Sequence, residues 1–359
     1  MQYSHALTSR PTLVTVCPRV PVLSPCGISA PSPLFLLTTF GHTAVLELSR
    51  AEAMQVTDLQ SPHSFLSDPS GEEYFISNVN GEPDSRDNNG FITKLDAEGK
   101  VVSLKFVQGG GEVTLHAPKG MALVNHTLYV ADLDTLRAFD QKTGRPVLTL
   151  SLAPQSKASS GKPVSLVDVA WDGQRFLYIS DSTNNSIYRV DLDQQYAISL
   201  LVHDDRLAGP SGLAVHPKSG HIIAVSWEKG KILEITPQGA LTELVSNGFF
   251  TARFQNLSGV DFDRWGNMYV SDQTKGKIWR MTPNQRFHVI AEYLPSPADI
   301  GIDRGNNLIL VPYQYADAAE MNGLEAPAGS GSKGQKRTLA DYGFVSPPPK
   351  PQPEGATRK

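Results

Sequence analysis

The sequence predicts an all-β protein folded as a six-bladed β-propeller, and two observations carry that expectation. A short second-strand motif recurs as YFISN at 74–78, LYVAD at 128–132, LYISD at 177–181, IIAVS at 222–226, MYVSD at 268–272 and LILVP at 308–312. The starts lie 54, 49, 45, 46 and 40 residues apart. A period in the forties with several strands per copy marks radial β-repeats, in which each unit buries its faces against its neighbours. The runs are also β-branched or aromatic, about five residues long, and punctuated by Asp-Gly, Glu-Gly, Lys-Gly and Asn-Gly turns. A helical solenoid of similar period would instead show 3.6-residue periodicity over a dozen residues.

Each element follows from the cleanest copy, LSGVDFDRWGNMYVSDQTKGKIWRMT at 257–282, in which apolar-alternating runs at 259–262, 268–271 and 277–281 are separated by turns. Third strands recur as GFITKL (90–95), TLRAF (135–139), SIYRV (186–190), KILEI (231–235) and KIWRM (277–281). The last copy shows no recognisable third strand after residue 312. AVLELSRAEAMQVTDL at 44–59 matches KILEITPQGALTELV at 231–245 in pattern and reads as two strands joined by a turn. Pairing it with the last copy closes the ring and leaves fewer free edges. A seventh blade is the alternative, with residues 27–40 as a degraded inner pair. Residues 1–43 are an irregular Pro-rich segment, 44–315 the propeller, and 316–359 a Pro/Gly/Ser-rich tail expected to be disordered.

Composition narrows the function classes. With 40% hydrophobic residues in 359, there is ample material for a core. A net charge of -4 gives no general attraction to nucleic acid, and no local basic patch compensates. Cys17 and Cys26 both precede the repeats, so no disulfide staples the core. The apolar run at 33–40 is far shorter than the ~20 residues of a membrane span, so no span is expected. Ala51-Glu52-Ala53 fits a small-residue cleavage pattern, which leaves periplasmic or secreted export open. The competing reading makes those residues part of a strand.

The stretches LYVADLDTLRAFD (128–140), GPSGLAVHP (209–217) and MYVSDQTKGKIWRMT (268–282) resemble the NHL-repeat and SMP-30/gluconolactonase/LRE-like propellers, across residues 61–312. The resemblance implies the fold far more specifically than any activity. In the lactonase branch it implies hydrolysis of lactones or related esters at a divalent cation, Ca²⁺ or Zn²⁺, held where inner strands begin. The matching positions here are His63, Lys119, Ser165, Ser211, Ser258 and Ala298. A hard cation needs several oxygen ligands with carboxylate charge. One imidazole, one ammonium, three hydroxyls and a methyl do not supply that, so no cofactor is expected. A hydrolase here would use His63, Lys119 and neighbouring Asp299 in a rearranged site.

Departures from the repeat are more informative than the repeat itself. Asp132, Asp181 and Asp272 end second strands, with Asn78 at the matching place, and such residues cap tight turns. The turn VNGEPDSRDNN (79–89) is several residues longer than its counterpart and carries Asp84 and Asp87. An EF-hand loop opening at Asp84 would need Glu at its twelfth position, where Leu95 stands, so it reads as a polar loop ending in an Asn-Gly turn. The connection SNGFFTARFQNLS (246–258) brings Phe249, Phe250, Arg253 and Phe254. Because strands alternate in direction, these segments open on one face with Asn78, Trp227, Tyr313 and Tyr315. Aromatic groups around a concave mouth suit a small ligand, peptide or protein, which is the favoured reading over the hydrolase. The phenylalanines could equally plug a gap beside a blade. No G-x-S-x-G, H-E-x-x-H or phosphate-binding motif occurs.

Overall fold

The computed structural model describes residues 48–158, 161–247 and 253–325, the side chains of 48–53 and 156–158 excepted. Chain order begins with β1 (Leu48–Val56), which belongs to the last blade. Blade 1 is β2 (Pro62–Ser67), β3 (Tyr74–Asn78), β4 (Phe91–Leu95) and β5 (Val101–Gln108). Blade 2 is β6 (Pro118–Val124), β7 (Thr127–Asp132), β8 (Thr135–Asp140) and β9 (Pro146–Ser151). Blade 3 holds β10 (Leu166–Trp171), β11 (Phe176–Asp181), β12 (Ser186–Asp191) and β13 (Ala197–His203). Blade 4 holds β14 (Pro210–Val215), β15 (Ile222–Ser226), β16 (Ile232–Ile235) and β17 (Leu241–Val245). Blade 5 follows with β18 (Leu257–Phe262), β19 (Met268–Asp272), β20 (Lys277–Met281) and β21 (Phe287–Ala291). Blade 6 runs outward as β22 (Gly301–Asp303), β23 (Leu308–Tyr313), β24 (Ala318–Leu324) and then β1. Every blade is a four-stranded antiparallel sheet, and the protein is a six-bladed β-propeller.

Closure differs in detail from the sequence expectation. The sixth blade has its own third strand, β24, so the N-terminal side supplies one strand and not a pair. The segment AAEMNGL hides its strand because Ala, Asn and Gly dilute the alternation on which a strand reading depends. Residues 51–53 lie inside β1, so cleavage after Ala53 would remove most of the closing strand. Residues 27–40, the suggested seventh-blade pair, and 326–359 lie outside the described residues.

The core is a set of apolar seams between neighbouring blades. Ala122, Tyr129 and Leu136 of blade 2 meet Val169, Ile179 and Tyr188 of blade 3, and the seam from blade 6 to blade 1 joins Val56, Leu310 and Met321 to Phe65 and Tyr74. Burial of this surface at ~25 cal/mol per Å² is what holds one blade to the next. Toward the axis the packing becomes backbone against backbone. A Cβ on Gly259 would meet Ile300 N at 2.4 Å and Asp299 Cα at 2.7 Å, so only glycine lets those inner strands touch.

Serines in the second strands fasten these contacts. Ser271 Oγ accepts from Gly259 N (2.8 Å) and donates to the Ala298 carbonyl (2.6 Å) in the next blade. Ser180 accepts from Asp168 N (2.9 Å) and donates to Ser211 O (2.7 Å) in the same way. The terminal acids of those strands hold the connections on the mouth face. Asp132 accepts from His116 N and Ala117 N, Asp181 from Ser165 N and Asn184 N, and Asp272 from Gln255 N and Lys275 N.

Candidate functional site

Ladder register fixes which residues ring the channel mouth. Pro62, Pro118, Leu166, Pro210, Leu257 and Pro297 pair with the ends of their second strands. The next positions are therefore His63, Lys119, Val167, Ser211, Ser258 and Ala298. Blade 3 departs from the expectation: Val167 takes the ring position, while Ser165 precedes β10 and its N–H is held by Asp181 (3.0 Å). Blade 3 carries Val167-Asp168 where blades 2, 4 and 5 carry Lys119-Gly120, Ser211-Gly212 and Ser258-Gly259, and Ser165 two residues earlier resembles the ring serines of blades 4 and 5.

His63 and Lys119 come together at this mouth. Both are buried, and His63 Nδ1 is sealed from solvent with no hydrogen-bond partner. Burial, and then the Lys119 charge, push the His63 pKa down to about 3, so the ring is neutral near pH 7. Burial also lowers the Lys119 pKa, opposed by the charges of Asp84 and Asp132.

Asp299 does not join them through its carboxylate. Its backbone N–H donates to His63 O (2.8 Å), but its side chain is a step deeper, level with Asp168 in the series Ser64, Gly120, Asp168, Gly212, Gly259, Asp299. Burial and the Asp168 charge raise the Asp299 pKa well above the carboxylate range, while a Ser64 hydrogen bond opposes. Asp168 is pushed up to about 7, mainly by burial, against hydrogen bonds from Leu213 N and Val169 N at 2.7 Å each. Of these two interior carboxyls the sequence pointed to Asp299 but not to Asp168, because nothing in the local pattern separates Asp168 from a capping aspartate.

Among the described residues, no three His, Cys, Asp or Glu side chains converge as a metal site would require. The ring itself presents an ammonium. The residues do not fit a divalent cation.

The remaining candidates divide between scaffold and open surface. Asn78 is fully buried, accepts from Gln60 N (3.0 Å) and donates to Ile76 O and Thr93 Oγ1, so its polar atoms are spent on the scaffold. Phe254 is core: it is buried against Trp279 (5.2 Å) and Phe287 (5.5 Å) and plugs the seam between blades 4 and 5. Tyr313 is likewise buried, with its hydroxyl donating to Glu320 (2.9 Å). Arg253 is exposed, stacks over Phe287 (5.4 Å) and offers its carbonyl to Lys275 Nζ (2.9 Å). Phe249 and Phe250 lie outside the described residues. Asp84 and Asp87 are exposed on the long loop, which is held to blade 2 by the Arg86–Asp134 ion pair (2.7 Å) and by Asn88 Oδ1 accepting from Leu115 N (2.7 Å).

The open feature of the mouth face lies across blades 4 to 6. A depression of about 580 Å³ is lined by Trp227, Lys275, Tyr293, Leu294 and Tyr315, with Gln273 and Ser296. Gln273 Nε2 donates to Ser296 Oγ (2.8 Å) and to Gln314 Oε1, knitting blades 5 and 6 together at this edge. Asn256 ties the other edge, donating to Trp227 O (3.0 Å) and accepting from Thr274 Oγ1 (2.8 Å). Trp227, Tyr293 and Tyr315, at 38%, 94% and 81% exposure, are the exposed aromatic residues among those described, and all three line this depression.

Tyr293 has a further peculiarity. Its φ of 63° and that of Ser296, 64°, are left-handed, a conformation costing a side-chain-bearing residue roughly 1–2 kcal/mol. The loop is held there by Leu294 N donating to Gly276 O (3.0 Å). Tyr293 was not legible in the sequence, since the connection that carries it, residues 292–298, is short and shows no departure from the repeat.

No protein-family model and no curated protein matches this chain. Solved structures do match its fold. A catalytically inactive virginiamycin B lyase from Staphylococcus aureus, solved with quinupristin, is 15% identical over 76% of this chain and 99% of its own (TM-score 0.51). A candidate gluconolactonase is 17% identical over 78% and 97% of the two chains (TM-score 0.55). A Bacteroides thetaiotaomicron protein of unknown function is 15% identical over 76% and 77% (TM-score 0.55). At such identities the likeness is one of fold: the chain is a six-bladed propeller similar to gluconolactonase-like and lyase propellers. Among the described residues, no helix is long and apolar enough to cross a membrane.

Proposed function

We propose that this propeller is a binding protein whose mouth-face depression across blades 4 to 6 takes a small organic ligand bearing a flat apolar ring. One observation carries the reading: the exposed aromatics among the described residues converge there, one of them, Tyr293, presented from a left-handed backbone position. A concavity of several hundred Å³ with aromatic walls and a few fixed polar groups is the usual form of a small-molecule site. Trp227 and the two tyrosines supply ring surface, and Gln273 and Ser296 supply orienting polar atoms. A propeller of this fold is solved with quinupristin, which makes that compound a reasonable first ligand to try.

Titrating quinupristin and a panel of ring-bearing small molecules against intrinsic tryptophan fluorescence, with Trp227→Phe to identify the contribution of Trp227, tests the proposal. Ligands should quench the wild-type signal saturably, and Tyr293→Ala with Tyr315→Ala should weaken them at least tenfold. Equal affinity in wild type and the double variant would remove the depression from consideration.

Lactone hydrolysis is the second reading, supported by the neutral imidazole of His63 beside Lys119. A base whose conjugate acid has a pKa of about 3 is weak for activating water at neutral pH, which supports binding over hydrolysis. Assays of lactone turnover with and without chelator, alongside His63→Ala, decide it: turnover lost in that variant would establish the hydrolase.

A further inference from the structure

We infer that Lys119 and His63 form a second site, for the carboxylate group of a small organic acid, at the blade 1–2 side of the channel mouth. It uses other residues than the aromatic depression and stands or falls without it. Burying an ammonium has a cost that is met only when the charge is paired and hydrogen-bonded. Lys119 is 7% exposed, yet its surroundings pair it poorly. Asp132 is near enough to raise its pKa, but both Asp132 oxygens are taken by His116 N, Ala117 N and Arg137 Nε. Asp84 is the carboxylate left, and at 3.9 Å it stands beyond the 2.7–3.2 Å of an N–H···O hydrogen bond.

His63 completes the donor set. With Nδ1 sealed and unpartnered, the tautomer protonated on Nε2 leaves only a lone pair desolvated, so Nε2–H is the donor turned to the accessible edge of the ring. One cation and one neutral N–H match the single charge and two oxygens of a carboxylate. A phosphate dianion would face Asp84 and Asp132 with one lysine to balance it.

Asp84 then acts as a tethered competitor. Its side chain is 83% exposed, while the loop carrying it is anchored independently by Arg86 and Asn88. The Asp84 side chain can therefore leave Lys119 without unfolding the loop, and an arriving carboxylate takes its place at shorter range.

Imidazole ¹H–¹⁵N spectra of the full chain at pH 7, titrated with sodium acetate, test this, with His63→Gln to assign the signal. The His63 resonance should shift saturably in wild type. Asp84→Asn, a surface change that leaves the core alone, should bind acetate at least threefold more tightly, and Lys119→Met should abolish the shift. No saturable shift in wild type, unchanged affinity in Asp84→Asn, or a full response in folded Lys119→Met would each overturn the proposal. Inorganic phosphate binding more tightly than acetate would overturn the carboxylate assignment.

Discussion

Tyr293 shows how a single residue can be placed for function against the preference of its own backbone. Its φ of 63° suits glycine or asparagine, and its side chain is 94% exposed and packs no core. Tyr293→Gly should therefore hold or raise the unfolding free energy, by up to about 1 kcal/mol in urea titrations, while weakening ligands of the depression. A loss of more than 1 kcal/mol would make Tyr293 a structural residue. His63 and Asp168 give a second test at this scale. Unfolded His63 titrates near 6.5 and the folded ring near 3, so below about 6.5 the unfolded chain takes the extra proton. Stability from this group is lost as pH falls through that window. Asp168 works the other way: its folded pKa of about 7 lies above the ordinary 3.8, so the folded state holds the extra proton and stability falls as pH rises between them. Because the windows overlap, the wild-type curve is flattened. His63→Gln should give a protein more stable at pH 4.5 than at 7.5, and Asp299→Asn, which removes one of the interior acids whose pKa burial raises, should tilt the curve the opposite way. Urea midpoints at the two pH values read the sign directly; identical slopes in both variants would refute the assignment.

The elements explain which parts of the site the sequence could disclose. Trp227 and the long acidic loop were legible as departures from a repeat, because a scaffold needs only the shared pattern. For Phe254 the sequence left a ligand contact and a plug beside a blade equally open, and the structure gives the plug, since facing the seam or facing water depends on the blade next to it. Asp168 was opaque for the same reason, and so was its electrostatic influence on Asp299: the two belong to blades far apart in sequence and act on each other only once the ring is closed. The repeat also predicts how the inner strands are fastened. Ser271 satisfies Gly259 N and Ala298 O across a blade boundary, a role blades 2 and 4 leave to Ala131 and Val225 without an equivalent hydroxyl. Ser271→Ala should cost about 1–3 kcal/mol, the usual penalty for stranding buried backbone groups, and a denaturant titration showing no loss would mean the strands close without the latch. Gly259→Ala should cost more than Gly173→Ala. The former drives a methyl into the backbone of blade 6, while the latter, with nothing within 4 Å, meets only the strain of a φ of 79°.

At the scale of the whole molecule, the ring depends on a strand drawn from the far end of the chain. The sequence disclosed that the two ends must meet, because one copy lacked its outer strands while residues 44–59 had strands to spare. It did not disclose the division of labour, because β24 is built from Ala, Asn and Gly and carries too weak an alternation to be read alone. The energetics of closure follow from the contacts. Val56 is 2% exposed and packs with Leu59, Tyr74, Leu310 and Met321 in the seam joining the last blade to the first, and β1 covers the hydrogen-bonding edge of β24. Burying a valine side chain contributes about 1.5–3 kcal/mol, and loss of the strand also uncovers Met321 and an unpaired edge. A chain beginning at residue 57 should therefore be less stable by several kcal/mol than one beginning at residue 48, which retains β1, and should associate through the freed edge at high concentration. A synthetic peptide of residues 48–56 added in trans should restore part of the lost stability, since the register Val56↔Ala319 and Met54↔Met321 remains available to it. Thermal unfolding of the two truncated proteins, with and without peptide, measures this. Equal midpoints would show that the six blades hold together through their seams alone and that β1 is an accessory to closure.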